Sequence, residues 1–450
     1  MRQGTLRGLL ALVVLSVLGS TLLQRYMGHV MDEPDLDFYD YYFEAAAVHD
    51  HPRLNMYTPA LGGNPQLRWA PSGSEVYQRA EAAGFNGTNL YLYPPVLADL
   101  LIPVSYIAPR HAAMLWRGFN LVLIVSVTVR LAAWLGLQVL SAETGLILFA
   151  AYACWPVHET ISQGQISIVL LALWTLGIVS YTSGRVALSA LAFALATWLK
   201  VTPLLILPVF LILNTRRERR WTAWYIAANL AIAAGVVAIN GFENLVSSFR
   251  VLMEMSGGVP ALANKSLGSV VYWLYYGHPT TYPEARILIN QPQPTLVVLA
   301  SKVLSLGFYV ACLAQIWRLR RINATLAPQV QGLILATFAV ILSLASPVSW
   351  RHGYSTGLIM FFILWVNVLR MRKVSVTLGL LLTVASVSVG SLIFDLGAQA
   401  PLPGLLKVLL ASFWPVSCAL LCFFVLYEAG RTVYKGNSPP ELRANEQAHG

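Results

Sequence analysis

Long apolar blocks, separated by short polar segments, run along almost the whole chain. The clearest blocks cover residues 8–24, 222–238, 374–393 and 402–426. Each is close to the ~20 residues that an α-helix needs to cross a ~30 Å hydrocarbon core. The pattern therefore predicts an all-α, polytopic membrane protein.

The composition agrees with this interpretation. Hydrophobic residues make up 57% of the 450 positions and charged residues only 11%, whereas about a quarter of a typical soluble chain is charged. A soluble protein is therefore excluded. The four cysteines, Cys154, Cys312, Cys418 and Cys422, all lie in apolar segments, so they predict neither a disulfide framework nor a tetrahedral metal set.

The net charge of +10 could indicate a nucleic-acid surface. However, the basic residues cluster as RRER and RLRR between apolar blocks, which is typical of the cytoplasmic ends of membrane spans. We therefore expect membrane lipid, and no nucleic acid, as a partner.

The same rule orients the chain. Arg2 and Arg7 precede the first block, which is expected to be an uncleaved span, so the N-terminus is placed in the cytoplasm and residues 25–111 outside. Within that loop, residues 94–107 either cross the membrane or lie along it as an interfacial helix that begins at proline. We prefer the second alternative, because it puts most later arginine clusters, and the C-terminus, on the cytoplasmic side.

This topology predicts about twelve transmembrane helices. After the first, they are expected near residues 112–134, 142–157, 165–181, 186–200, 202–214, 221–239, 294–317, 328–345, 354–369, 374–394 and 402–427. The chain then divides into a first transmembrane helix (1–24), an external loop with juxtamembrane helices (25–111), transmembrane helices two to seven (112–239), a second external loop (240–293), transmembrane helices eight to twelve (294–427) and a disordered cytoplasmic tail (428–450).

The polar residues at the span ends collect on the outer face. They are Asp32, Glu33, Asp35, Asp37, Asp40, His158, Glu159, Gln163, Gln165, Lys200, Thr202, Asn264, Lys265, Ser266, Ser346, Ser349, Arg351 and His352. A transporter more often has its polar residues near the bilayer midplane and in two related halves. We see no internal repeat, and the pattern indicates a single site that faces outward.

Asp37 opens the segment DFYDYYFEAA, an amphipathic helical pattern in which Phe38, Tyr41, Tyr42 and Ala45 can bury. A carboxylate held at the membrane boundary in this way can act as a general base. The alternative is that the acidic residues of this loop are simple solvated surface, which is the commoner situation for any one of them.

Three basic side chains are candidates for binding a phosphate. Lys200 ends an apolar span, where it either extends to the interface or pairs with a lipid phosphate. Arg351 and His352 form a cationic pair that suits a phosphate or diphosphate. His49 and His51 have no third ligand in register, so no metal site is expected there.

Five segments occur in an order and at a spacing that resemble one family. They are DFYDYYFEAA; LYLYPPVLADLLIPVSYIAPRHAAMLWRGFN; SQGQISIVLLALWTLGIVSYTSGRVALSALAFALATWLKVTPLLILPVFLIL followed by RRERRW; NKSLGSVVYWL; and SPVSWRHG. From about residue 30 to residue 370 the chain resembles the GT-C membrane glycosyltransferases of glycosyltransferase family 87. That family includes polyprenyl-phosphate-mannose-dependent mannosyltransferases and an arabinofuranosyltransferase of mycobacteria.

The resemblance implies a GT-C fold whose first external loop carries an acidic catalytic residue. It also implies a polyprenyl-phosphate-linked sugar as donor, mannose first, and a hydroxyl of a glycolipid or polysaccharide as acceptor. Transfer would invert the anomeric centre on the periplasmic or exterior face of the cell membrane. No nucleotide cofactor is expected, which agrees with the lack of a Gly-rich nucleotide loop in the sequence.

The resemblance assigns the roles residue by residue. The catalytic base is Asp37, with Asp35 and Asp40 as alternatives in the same segment. For binding of the donor phosphate, the resemblance indicates Lys200 and His352, and the outward polar pattern adds Arg351. For binding of substrate, the resemblance indicates Gln165, Asn264, Ser266 and Ser349, and the polar pattern adds His158 and Gln163. The chain departs from many members at Arg351 and Gly353, which leaves the identity of the sugar and acceptor open.

Two other functions are compatible with the polar pattern. A flippase or transporter of lipid-linked sugars would have polar residues accessible from both faces. A non-catalytic membrane assembly protein would need Asp37 only for complex formation.

Overall fold

The computed structural model describes residues 36–51, 53–61, 70–139, 141–254, 264–278, 293–322, 326–370, 376–390 and 401–437. The predicted first span, Asp35 and the end of the tail lie outside these residues. Throughout the described ranges the protein consists of helices joined by short loops, and it forms no β-sheet there. This confirms the prediction of an all-α protein.

We number the α-helices of the described chain in order. They are α1 (Leu36–Asp50), α2 (Thr58–Leu61), α3 (Glu75–Ala82), α4 (Pro95–Ser105), α5 (Pro109–Trp134), α6 (Ala142–Ala153), α7 (Trp155–Gln163), α8 (Ser167–Thr182), α9 (Val186–Leu199), α10 (Leu207–Leu213), α11 (Arg216–Asn240), α12 (Phe242–Glu254), α13 (Leu267–Tyr276), α14 (Thr295–Ile322), α15 (Pro328–Ala345), α16 (Leu358–Arg370), α17 (Val376–Gly390) and α18 (Gly404–Asn437). Two 3₁₀-helices join them, Thr202–Ile206 and Arg351–Gly357.

Several of these helices can cross a bilayer. Among the described helices, 5 are long and apolar enough to do so: Pro109–Trp134, Arg216–Asn240, Thr295–Arg321, Pro328–Ala345 and Gly404–Ala429. Shorter apolar helices include α8, α9 and the segment Thr202–Leu213. The chain is therefore a membrane protein, whereas the total of twelve spans stays a prediction.

Local sequence sets where the helices start and stop. Proline occupies the first turn of α4, α5, α7 and α15, where its missing N–H is not needed. Helix α11 begins with a capping box in which Thr215 and Glu218 satisfy each other's backbone N–H groups. Helix α4 has 11 residues, a rise of ~16 Å, which is about half of a hydrocarbon core.

One end of the helix bundle is defined by contacts near the RRERR cluster. The Tyr181 hydroxyl donates to Glu218, Trp221 Nε1 donates to Ser189 Oγ at 3.0 Å, and Arg217 Nη1 donates to Gln331 Oε1 at 3.2 Å. These contacts gather the last turn of α8 and the first turns of α9, α11 and α15. We call this the basic end.

The opposite ends of the same helices then lie together. The start of α8 follows Gln165, the end of α9 precedes Lys200, and the end of α15 precedes Ser346. Because all three helices leave the basic end, their other ends bring these polar residues to one side of the bundle. We call this the site end.

Buried aromatic rings hold α9, α10 and α11 in register below Lys200. Phe210 and Trp221 stack with their centroids 3.5 Å apart, and Tyr225 stacks on Trp221 at 4.8 Å. The Tyr225 hydroxyl also bonds to Thr197 Oγ1 at 2.7 Å, in the last turn of α9. The position of Lys200 is thus fixed by packing.

Candidate active site

Asp37 lies in the first turn of α1, and it is half-buried. The predicted buried residues of this helix, Phe38, Tyr41, Tyr42 and Ala45, are all buried. The helix is nevertheless not amphipathic, because every residue from 38 to 45 is buried. The segment after α3 covers its outer side.

The segment that covers α1 contributes an aromatic ring, Phe85, and the polar residues Thr88 and Asn89. Phe85 packs against Tyr39 and Phe43, with ring centroids 4.3 Å and 5.5 Å apart. The sequence pattern of α1 does not reveal this contact, because the covering residues come from a separate part of the external loop.

Gln165 holds the Asp37 carboxylate. Its Nε2 donates to Asp37 Oδ2, while its Oε1 accepts hydrogen bonds from Tyr41 at 2.9 Å and from Tyr93 at 3.1 Å. The amide is fully buried and both hydroxyls approach its oxygen, so its N–H₂ group is directed at the carboxylate. Asp37 and Gln165, which were predicted from two separate motifs, are thus in contact, and Tyr41 and Tyr93 are site residues to which the sequence analysis gave no role in the site.

Gly164 allows this contact. It ends α7 with φ of +68°, and a methyl group placed on it would lie only 2.5 Å from Phe38 Cβ. Its carbonyl accepts a hydrogen bond from Trp116 Nε1 at 2.7 Å. Only glycine combines this left-handed backbone with such a close approach of two chain segments.

Asp40 lies one turn after Asp37 and has a different environment. Its Oδ1 accepts hydrogen bonds from Thr88 Oγ1 at 2.7 Å and from Asn89 N at 2.8 Å, and its Oδ2 accepts one from Asn89 Nδ2 at 2.9 Å. Burial, followed by the nearby charge of Asp37, raises the pKa of Asp40 to about 7. These bonds tie α1 to the loop that leads to Tyr93.

The segment Asn264–Ser266 is docked on the loop Ser346–Trp350. Asn264 Oδ1 accepts from Ser349 N at 2.9 Å, and its Nδ2 donates to Pro347 O at 3.2 Å. The backbone N–H of Lys265 donates to Ser349 O at 2.7 Å. Asn264 and Ser266 are fully buried, and the contacts described here go to the loop. That they also bind substrate stays a prediction.

Lys265 was placed on the outer face by the sequence analysis but was given no binding role. It is 1% exposed, and its Nζ lies 5.4 Å from the ring centroid of Trp273 and 5.7 Å from that of Trp414. Cation–π contacts of this kind stabilise a lysine away from water. The sequence signal was the lysine inside the N-x-S tripeptide.

Lys200 lies beside the same loop. A methyl group placed on Gly353 would lie 3.6 Å from Lys200 Nζ and 3.5 Å from Ser349 Oγ. Lys200 and Ser349, predicted from two distant motifs, thus both lie next to Gly353. The lack of a side chain at Gly353 leaves space beside them. His352, the next residue before Gly353, is 3% exposed.

Arg351 forms an ion pair with Glu159 of α7. Arg351 Nη2 lies 2.8 Å from Glu159 Oε1, and both side chains are nearly buried, at 11% and 6% exposure. Thr160 and Ser355 add a hydroxyl–hydroxyl bond of 3.0 Å between the same two elements. Sequence reasoning placed Glu159 on this face but did not pair it with Arg351.

The remaining predicted residues lie on α7. His158 is half-buried and stacks on Trp155 with centroids 5.8 Å apart, and burial lowers its pKa. Gln163 is half-buried at the last turn of the helix. Helix α7 therefore carries the Glu159 contact to Arg351 at its middle and leads directly to Gln165.

The histidines near α1 have partners within the protein. His49 Nδ1 lies 2.8 Å from Asp50 Oδ1, its Nε2 lies 2.5 Å from the Tyr106 hydroxyl, and His51 lies 3.4 Å from Glu75. No group of three His, Cys, Asp or Glu residues suited to a metal ion occurs in the part of the chain that the structure describes.

Comparison with known proteins identifies the family. The model of glycosyltransferase family 87 matches residues 91–347, which is more than half of the chain. A polyprenol-phosphate-mannose-dependent alpha-(1-2)-phosphatidylinositol mannoside mannosyltransferase of Mycobacterium tuberculosis is 27% identical over 283 residues. The chain spans about 60% of the length of this curated relative, and the alignment covers 60% of the chain. The family match includes Gln165, Lys200 and Asn264, and the chain belongs to glycosyltransferase family 87.

Proposed function

We propose that the protein is an inverting glycosyltransferase that moves a sugar, mannose in the first place, from a polyprenyl-phosphate donor to an acceptor hydroxyl. The acceptor is a glycolipid or polysaccharide. The proposal is supported by the family and by the name of the mycobacterial relative, which uses polyprenol-phosphate-mannose. The observation that carries it is the half-buried Asp37 carboxylate held by Gln165 at the end of the bundle where Lys200 also lies.

Asp37 suits the role of general base better than Asp40. The Gln165 amide orients one oxygen of Asp37, and the side chain is not closed off from its surroundings. Asp40, in contrast, is buried and uses both oxygens to accept hydrogen bonds from Thr88 and Asn89. A base must reach the proton that it removes, so we assign proton removal to Asp37 and anchoring of the loop to Asp40.

Helix α7 sets the distance between the base and the phosphate site. Glu159, which holds Arg351, precedes Gln165 by six positions. Helix α7 ends at Gln163, and Gly164 then turns the chain in the left-handed conformation. The contact to Arg351 is therefore at the middle of the helix and the contact to Asp37 just past its end, so a donor can lie between Asp37 and the loop of Arg351 and Gly353.

The reaction then follows from these positions. Asp37 takes the proton of the acceptor hydroxyl as its oxygen attacks the anomeric carbon from the side opposite the phosphate. The bond between that carbon and the phosphate oxygen breaks, and polyprenyl phosphate leaves with the electron pair. Lys200 stabilises the negative charge on the leaving phosphate, with His352 beside it. Arg351 is engaged by Glu159, and it acts chiefly by holding the loop.

The orientation in the membrane is part of the proposal. The arginine cluster at the basic end is expected to face the cytoplasm, which places the site end at the periplasm or exterior. The polyprenyl chain then lies along the apolar helices. A flippase is less favoured, because the predicted site residues gather at one end of the bundle.

Transfer by the purified protein in lipid nanodiscs tests the proposal. The donor is polyprenyl-phosphate-mannose with a radiolabelled sugar, and the acceptor is a phosphatidylinositol mannoside. We expect Asp37→Asn to lose transfer by at least ~100-fold, as is usual for loss of a general base. Glu81→Gln, which changes an exposed carboxylate on α3, is the matched control and should keep full activity.

Two results would contradict parts of this proposal. Normal turnover by Asp37→Asn would remove the base assignment. No Asp37-dependent transfer from mannose, arabinose or other polyprenyl-phosphate sugars, to any of a panel of glycolipid and polysaccharide acceptors, would remove the transferase function itself.

A further inference from the structure

Helix α12 has its polar side turned toward the protein and its apolar side turned outward. Its buried residues are Asn244, Ser247, Ser248 and Val251. Phe242, Phe249 and Met253, in contrast, are 67%, 50% and 72% exposed. This arrangement is the reverse of that on a helix whose outer face meets water.

The polar face is used for contacts within the protein. Asn244 Oδ1 accepts a hydrogen bond from Met56 N at 3.0 Å, and its Nδ2 donates to Leu54 O at 2.9 Å. Asn55 Nδ2 donates to Ser247 Oγ at 3.3 Å. The turn before α2 therefore rests on the inner face of α12.

A third stripe of α12 is charged. Glu243, Arg250 and Glu254 are exposed, and each follows one of the three exposed apolar residues by one position. One position corresponds to about 100° around a helix, so the charged stripe lies beside the apolar stripe and does not interrupt it. An apolar stripe with a charged stripe along its edge is typical of a helix that lies in a membrane interface.

The position of α12 in the chain also indicates a helix that lies in the membrane interface. Helix α11 is long and apolar enough to span the membrane, and its outward residues Leu230 and Ile239 are 65% and 55% exposed. Gly241, with φ of +85°, ends this helix and starts the turn into α12. The exposed Phe242 comes directly after it, so the apolar stripe of α12 continues the lipid-facing surface of α11 at the site end.

We propose that α12 lies along the bilayer interface at the site end, with Phe242, Phe249 and Met253 among the acyl chains. Glu243, Arg250 and Glu254 then lie among the lipid head groups. The partner of this surface is the lipid bilayer itself. Through Asn244 the helix holds the turn at Leu54–Met56 at the level of the head groups.

Nitroxide accessibility in lipid nanodiscs tests this placement. Single cysteines are introduced as Phe249→Cys and Met253→Cys, with Arg250→Cys as the matched control on the charged stripe. The four native cysteines are buried, and labelling of the wild-type protein measures their background. Collisions with oxygen, which dissolves in the bilayer, are compared with collisions with a water-soluble nickel chelate. This readout does not depend on enzymatic activity.

We expect labels at 249 and 253 to collide at least ~5-fold more with oxygen than with the chelate, relative to the label at 250. If the labels at 249 and 253 meet the chelate as often as the label at 250 does, the face is in water and the proposal is wrong. If neither reagent reaches 249 and 253, another protein surface or a second copy covers the helix, which also overturns the proposal.

Discussion

Replacement of Gly164 by alanine tests whether the contact between α1 and the end of α7 positions Asp37, the proposed base. A methyl group at Gly164 would lie 2.5 Å from Phe38 Cβ. Two carbon atoms in contact are normally at least ~3.5 Å apart. The two segments must therefore move apart by on the order of 1 Å.

The expected size of the effect has two parts. An alanine with the φ of +68° found at Gly164 loses ~1–2 kcal/mol of stability from its backbone, and the crowding adds ~1–3 kcal/mol. The movement also separates Asp37 from Gln165, because Phe38 follows Asp37 and Gln165 follows Gly164. A misplacement of ~1 Å can lower a rate by ~100-fold, so we expect kcat to fall between ~10-fold and ~100-fold.

Gly184→Ala is the matched control. Gly184 has φ of +80°, but no atom lies within 4 Å of the added methyl group. It shares the backbone cost without the collision, and it lies at the basic end. The assay measures mannosyl transfer at saturating donor and acceptor, together with thermal unfolding of both variants. The reasoning is refuted if Gly164→Ala keeps the kcat of Gly184→Ala.

Three further predictions concern charged groups. Lys200→Met should raise the donor KM by ~10–100-fold, the value of one charge-assisted hydrogen bond, and leave the acceptor KM unchanged. The control Lys302→Met, at an exposed lysine, should change neither constant. An unaltered donor KM in Lys200→Met would exclude the phosphate contact. Arg351→Gln leaves the buried Glu159 charge without its ion-pair partner and should lower the free energy of unfolding by ~3–5 kcal/mol. Chemical denaturation should show that adding Glu159→Gln restores part of this free energy. If none is restored, loss of the ion pair is not the cause of the lower stability. Burial raises the pKa of Glu44 from 4.5 to about 8, so the folded protein holds this proton longer than the unfolded chain and loses stability as pH rises between these values. The Tm of Glu44→Gln should therefore exceed that of the wild type by an increasing amount from pH 5 to pH 8, and a constant difference would contradict the burial argument.

Apolar periodicity and arginine clusters were enough to predict an all-α membrane protein, because both follow from the solvent around each segment. They also indicated that Gln165, Lys200 and Ser349 share one end of the bundle, since helices of similar length connect two membrane faces. That part of the prediction needed no knowledge of individual contacts.

The contacts themselves could not be predicted. Asp37 and Asp40 differ by the hydrogen bonds that Asp40 receives from Thr88 and Asn89, about 48 residues away, and no local pattern reports a partner at that distance. The same holds for Glu159, which the sequence places at a span end on the outer face without indicating a partner. Its ion pair exists because Arg351 is carried to it by the far end of α15.

The pairing of α7 with the second 3₁₀-helix has a consequence for the synthesis of the protein. Thr160 and Ser355 are 195 residues apart in sequence, and the ion pair beside them joins Glu159 to Arg351. At ~5–20 residues per second, a ribosome needs ~10–40 s to make the intervening chain. During that time α7 carries a carboxylate for which the cation has not yet been translated. The contact between α7 and the second 3₁₀-helix therefore forms only after the chain has been made as far as Ser355.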